Sequence, residues 1–186
     1  MGVEVTKKLF TVDEYYRMAE AGILTADDRV ELIDGEILEM SAIGHRHLGC
    51  VNRVSTFFIE SFGRQCVVST QNPVQLNVWT EPQPDIVVLK PRTDFYASKK
   101  PIAEDVLFIV EVADTTLPYD RDVKIPRYAA AGIPEVWIED LIDGRLLIYR
   151  DPAETGFRTS FARERGQSIS PIAFPDISFT VDDLLG

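Results

Sequence analysis

The chain has 186 residues, 45% hydrophobic and 26% charged, ordinary globular proportions that exclude a disordered or fibrous polymer and predict one domain spanning residues 1–186. Nineteen basic against thirty acidic residues leave a formal charge of -11, the wrong sign for a protein that holds nucleic acid mainly by neutralising phosphates. No apolar run approaches the roughly 18 residues of a membrane-spanning helix, and the first residues lack the apolar core of a signal peptide, so a soluble cytoplasmic protein without membrane contact is expected.

Met1-Gly2-Val3-Glu4-Val5-Thr6 meets the loose N-myristoylation pattern, but so few fixed positions match often by chance. Cys50 and Cys66 stand in no metal-ligand or redox spacing and read as small buried hydrophobes.

Thr11-Val-Asp-Glu14 is a capping box that predicts a helix of about ten residues from Thr11, with Gly22 as its stop. Val30–Ile33 and Glu36–Met40, joined by Asp34-Gly35, predict a tight hairpin. From Gly44 to Gly63 the residues Leu48, Val51, Ser55, Phe58 and Phe62 recur at steps of three and four, the buried face of a long helix. Val67–Thr70, Pro73–Trp79, Asp85–Leu89 and Val106–Val112 read as strands, the last two so continuously apolar that they belong inside the sheet. The charged, Pro-containing segment between Lys90 and Asp105 reads as an exposed connection. A helix should follow, starting near Lys124 because Pro126 is tolerated only in a first turn. Glu135–Glu139 and Arg145–Tyr149 across Asp143-Gly144 predict a second hairpin, extended by Phe157–Ala162, and Thr180 caps a short terminal helix. The order predicts an α/β (α+β) fold, a mixed sheet flanked by helices with an N-terminal helix and hairpin.

Asp85 opens an apolar strand and Glu111 interrupts another, so each places an acid where the pattern demands an apolar side chain. A buried acid needs a partner or a cation. Two ionised carboxylates about 4 Å apart repel by roughly 4 kcal/mol at an effective dielectric near 20, a demand that a hard divalent cation with oxygen ligands meets. The structural alternatives are that Asp85 caps a turn after Pro84 and that Glu111 pairs with an Arg or Lys. Glu31, alternating with Val30 and Leu32, reads as the solvent face of a half-buried strand. Lys124 follows Glu111 closely enough for its long stem to reach back over the carboxylates. Asp120 and Asp122 are candidates for supporting hydrogen bonds or helix caps, His45 and His47 for phosphate contacts or, more commonly at a helix start, caps or packing, and Tyr128 and Trp137 for the core.

Read together, Pro84-Asp85, Glu111-Val112, Asp120-Arg-Asp-Val-Lys124, Tyr128 and Gly132-Ile-Pro-Glu-Val-Trp-Ile138 resemble the Uma-two family of restriction-endonuclease-like proteins, a branch of the PD-(D/E)XK nucleases. The likeness extends to Arg29-Val-Glu-Leu-Ile-Asp-Gly-Glu-Ile37, to His47 and to the closing Thr180-Val-Asp-Asp-Leu-Leu185, and so covers nearly the whole chain.

The resemblance implies a restriction-endonuclease-like core in which Asp85 and Glu111 ligate Mg²⁺ or Mn²⁺, with Glu31 as a third acid. A standard third motif has lysine two positions after Glu111, where this chain has Ala113, so Lys124 is the expected replacement. The implied activity is metal-dependent hydrolysis of phosphodiester bonds in DNA, with weak, metal-dependent affinity for the nucleic acid. Cleavage of two strands by a one-site domain calls for a homodimer. The alternative is a nuclease-fold binding or scaffold module without catalysis, which the net charge and the displaced lysine both permit.

Overall fold

The computed structural model describes residues 6–25 and 27–186, so the Met1-Gly2 pattern lies outside the described residues. Helix α1 (Val12–Glu20) begins at the expected box: the Thr11 hydroxyl accepts the Glu14 amide at 3.2 Å, and the Glu14 carboxylate accepts the Thr11 amide at 2.9 Å. Strands β1 (Val30–Ile33) and β2 (Glu36–Glu39) form the hairpin, with φ of 51° at Asp34 and 79° at Gly35. That pair of positive angles is what a two-residue turn of matching twist requires. The hairpin is a separate two-stranded sheet, tied to the segment that leads into the strand at Ile86–Leu89 by the Glu81 amide on the Leu32 carbonyl at 2.7 Å. Because that segment covers the outer side of β1, all four of its residues are buried. The expected solvent face of Glu31 is therefore wrong.

Helix α2 (His45–Phe62) lies over the sheet through Val51, Val54, Phe58 and Phe62. Leu48, expected on that face, is 48% exposed, because the buried face of α2 begins only at Cys50 and Val51 and the first turn projects beyond the core. The main sheet comprises β3 (Val67–Thr70), β4 (Ile86–Leu89), β5 (Val106–Ala113), β6 (Glu135–Asp140), β7 (Arg145–Ala153) and β8 (Gly156–Arg163), hydrogen-bonded in that order. Only β5 and β6 run parallel; all other neighbours are antiparallel. The mixed sheet flanked by helices agrees with the fold class read from the sequence.

Alternation sorts the strand side chains into two layers. Phe108, Val110, Val112 and Trp137 pack with α2 and the terminal helix α5 (Val181–Leu185), while Ile109, Ala113, Val136 and Ile138 pack with Ile125 and Tyr128 on the other side. At about 25 cal/mol per Å² of apolar surface buried, these layers are the main source of stability.

Two expected elements differ. Pro73–Trp79 is not a strand: it makes only isolated bridges at Gln75 and Asn77, and the Leu76 amide bonds the Thr80 carbonyl at 2.9 Å, so the chain doubles back on itself. The helix after β5 starts earlier than Lys124. It runs as a short turn, α3 (Leu117–Tyr119), a wide π turn at Asp120–Lys124, and α4 (Ile125–Ala130). Pro118 takes the early position, and Pro126, which has no amide to donate, is absorbed by the wide turn in which the Ile125 amide reaches five residues back to the Asp120 carbonyl. Short strands at Ser168–Ile169 and Phe179–Thr180 pair before α5, which the Thr180 hydroxyl caps. Among the described residues no helix is long and apolar enough to cross a membrane.

Candidate active site

Alternation along β5 decides where Glu111 points. Ile109 and Ala113 face α4, and Glu111, halfway between them, shares that face. Asp85 immediately precedes β4 and stands opposite the end of β5: its Oδ2 accepts the Val112 amide at 2.8 Å, and its own amide is 3.4 Å from Glu111 Oε2. The two acids thus meet at one end of adjacent strands.

Lys124 arrives from the facing wall. The wide turn carries its Nζ to 3.2 Å from Glu111 Oε1, 3.6 Å from Glu31 Oε2 and 4.0 Å from Asp120 Oδ1. Each acid is also held by a neutral donor. The Tyr128 hydroxyl donates to Glu111 Oε1 at 2.5 Å, the Tyr119 hydroxyl to Glu31 Oε1 at 2.8 Å, and the Thr116 hydroxyl to Asp120 Oδ2 at 2.6 Å. The Gln83 amide adds a bond to Glu31 Oε2 at 3.1 Å. π turns inside helices occur often at functional sites, and here the turn sets the reach of the lysine.

One ammonium does not balance this many acids. Burial pushes the Glu111 carboxyl up to about 8 and that of Asp120 up to about 6, against the pull of Lys124 and with the push of neighbouring carboxylates. Burial by itself would lower Lys124, but Glu111, Glu31 and Asp120 outweigh it and hold the amine above the ordinary lysine value. The site therefore has a surplus of acid that a further positive charge would relieve.

Among the described residues, no three His, Cys, Asp or Glu side chains form a ready metal cage. A hard ion such as Mg²⁺ needs no such cage, since it commonly keeps several waters and takes one or two carboxylates. Asp85 and Glu111, side by side at the edge of a cleft of about 610 Å³, fit that smaller demand, and the surplus of acid fits a cation.

Glu31, Asp85, Glu111 and Lys124, the four sequence candidates, all line this cleft. Asp122 does not: it is exposed and bound to Arg121 at 2.7 Å. His45 is exposed as well. Trp137 lies in the core, its indole N–H on Glu135 at 2.8 Å, whereas Tyr128 is both core and site. Sequence reasoning set aside His47, whose Nε2 lies 3.0 Å from Asp85 Oδ1, and left Asp120 undecided. Asp120 and Tyr128 each sit four positions from Lys124, a helical spacing that places all three on one face and offers a signal for finding them.

The chain matches the model of the Uma2 family, described as "Putative restriction endonuclease", over residues 12–182. A crystal structure of a "putative nuclease belonging to DUF820" from Anabaena variabilis superposes with a TM-score of 0.75, covering 95% of this chain and 97% of that one at 16% sequence identity. At that identity the likeness speaks to the fold alone. No curated protein matches the chain. With a family model aligned from the first helix to the last, and a nuclease-like fold beneath it, the chain belongs to the Uma2 family.

Proposed function

We propose that this protein is a metal-dependent endonuclease that hydrolyses phosphodiester bonds in DNA, with Asp85 and Glu111 as ligands of Mg²⁺ or Mn²⁺. The observation that carries the reading is the convergence of Asp85 and Glu111 from neighbouring strands beside the Lys124 amine in one open cleft. When bound, the divalent cation would supply Lewis-acid polarisation of a phosphate oxygen and acidification of water. The chain's own residues do the rest. Lys124 offsets negative charge growing on the phosphoryl oxygens as water adds to phosphorus and the P–O bond to the leaving nucleotide breaks. Glu31 and Asp120 aim the lysine, and Tyr128 fixes the Glu111 carboxylate. On this reading residues 1–186 act as one domain, as a cytoplasmic homodimer.

The test is incubation of supercoiled plasmid with purified protein and Mn²⁺, beside Asp85→Ala and Glu111→Gln. Nicking by the wild type and a loss of at least a hundredfold in both variants is the expected result; equal rates in all three proteins would remove the site from the reaction. Parallel single-stranded DNA and RNA substrates define the substrate class.

A second reading, a catalytically silent binding module, draws on the same ion pairs: Lys124 already neutralises part of the acid cluster, and the charge of -11 opposes polyanions. Calorimetric titration with Mn²⁺ separates the two. Identical heats from wild type and Asp85→Ala favour the silent module.

A further inference from the structure

The Asp85 carboxylate is gripped from two sides. Its Oδ2 takes the Val112 backbone amide of β5 at 2.8 Å, while Oδ1 takes His47 Nε2 at 3.0 Å from a different element, the first turn of α2. The other group near Oδ1 is the Gln71 amide, at the long distance of 3.5 Å. Without the histidine, the carboxylate would be fixed through the Val112 bond to Oδ2 alone, and Oδ1 would keep no close partner.

His47 is well placed for such a grip because its helix is anchored to the sheet. One turn further along α2, the Cys50 thiol donates to Glu139 Oε2, on β6, and beyond it Val51, Val54 and Phe58 are buried in the core. Glu139 pairs across the sheet with Val112, the residue whose amide holds the other Asp85 oxygen. The contacts therefore close a loop: Asp85, Val112, Glu139, Cys50, His47 and back to Asp85. The buried Nδ1 of His47 has no hydrogen-bond partner among the described residues. Contact with a carboxylate calls for an N–H at Nε2, since a carboxylate oxygen can only accept.

We infer that His47 is a positioning residue: donated from α2, its Nε2–H holds the Asp85 carboxylate toward Glu111, so that the seating of α2 on the sheet sets the geometry of the cation site. A histidine that merely capped or packed the first turn of α2 would not need a bond to an acid on another element. The inference rests on reading Asp85 and Glu111 as the cation ligands. Groups that orient ligands in this way are worth about ten- to a hundredfold in metal affinity.

Two measurements decide it. Calorimetric titration with Mn²⁺ of wild type, His47→Ala, His47→Gln and Asp85→Ala should give an affinity about ten- to a hundredfold weaker for His47→Ala. His47→Gln, whose amide N–H can meet the same oxygen, should recover most of the loss, with all four proteins melting cooperatively. Wild-type affinity in His47→Ala, or a Gln variant as weak as the Ala variant, overturns the inference while leaving the cation site in place. Silence in the wild type itself would instead sink the cation reading. The inference is then decided without metal by ¹H–¹⁵N imidazole spectra. These should show a protected His47 Nε2–H in the wild type that is lost in Asp85→Ala; a rapidly exchanging Nε2–H in the wild type overturns it.

Discussion

Replacing Lys124 with methionine keeps the apolar stem of the side chain, one atom shorter, and removes the ammonium that faces Glu111, Glu31 and Asp120. At 3.2 Å from Glu111 and an effective dielectric near 20, that single attraction is on the order of 5 kcal/mol before the cost of burying the charges is subtracted. Breaking a buried pair by removing one partner typically costs about 3–5 kcal/mol net, because the other charge is left uncompensated. The cost should depend on pH. In acid, where Glu111 and Asp120 hold protons, the buried ammonium of the wild type has lost two of its charged partners and the two proteins should differ less. As pH rises and the acids ionise, both proteins lose stability, but in the wild type the ion pairs with Lys124 offset part of the cost and in the variant nothing does. The assay is urea denaturation at pH 5 and pH 8, with and without Ca²⁺. The stability gap should widen by about 3 kcal/mol toward pH 8 and shrink when Ca²⁺ replaces the missing charge. In the same variant, affinity for Ca²⁺ should rise, since a cation no longer has to compete with the lysine. A gap that is flat across this pH range, or weaker Ca²⁺ binding in Lys124→Met, would refute the view of Lys124 as counter-ion of the cluster.

The wild-type protein without metal should lose stability as pH rises from about 4.5 to about 8, because Glu111 and Glu139, both pushed up to about 8 by burial, bind protons more tightly folded than unfolded. Urea midpoints across that window check this, and Glu139→Gln should flatten the slope; a rising profile contradicts the assignment. Tyr128→Phe deletes the donor to Glu111 Oε1 without opening a cavity and should cost about 1.5–3 kcal/mol, the range for hydrogen bonds to charged groups, as read from urea midpoints at pH 8. Gly35→Ala should destabilise by at least about 1 kcal/mol, since φ is +79° and the new Cβ would lie 2.8 Å from that of Leu9; a thermal melt unchanged from wild type would show that the turn relaxes.

Elements whose signal is local are legible in the chain: the Thr11 box, the Asp34-Gly35 turn, the continuous strands around Val87 and Ile109, the Asp143-Gly144 turn and the Thr180 cap. Each is decided within a few residues. Features decided by distant partners are not. Glu31 alternates like a surface residue, and only the segment around Glu81, which packs over β1, turns it inward. Pro73–Trp79 has the composition of a strand but no neighbour along its length to pair with, so it folds back instead. The wide turn at Asp120–Lys124 has no composition of its own; it follows from having Pro118 and Pro126 in one helix. In the candidate site, Asp85 and Glu111 stand out because they interrupt apolar runs, whereas His47, at a helix start, is tied to Asp85 only when α2 is laid beside the start of β4.

The charge of -11 and a phosphate-bearing substrate are easier to reconcile once the cleft is considered by itself. Glu31, Glu39, Asp85, Glu111, Asp114 and Asp120 line it against only Arg29 and Lys124 among the fixed cations. A wall of that sign focuses a field that gathers small cations and repels a polyanion. On the proposed reading, the cation must therefore enter before the nucleic acid, and each ion taken up both reduces the repulsion and supplies a contact for the phosphate. Metal dependence then belongs to substrate binding as much as to the chemical step. Burial, with a further push from Asp120 and Asp85, raises Glu111, and on this reading the same acid-rich lining would make the protein discriminate against nucleic acid until the cation is in place.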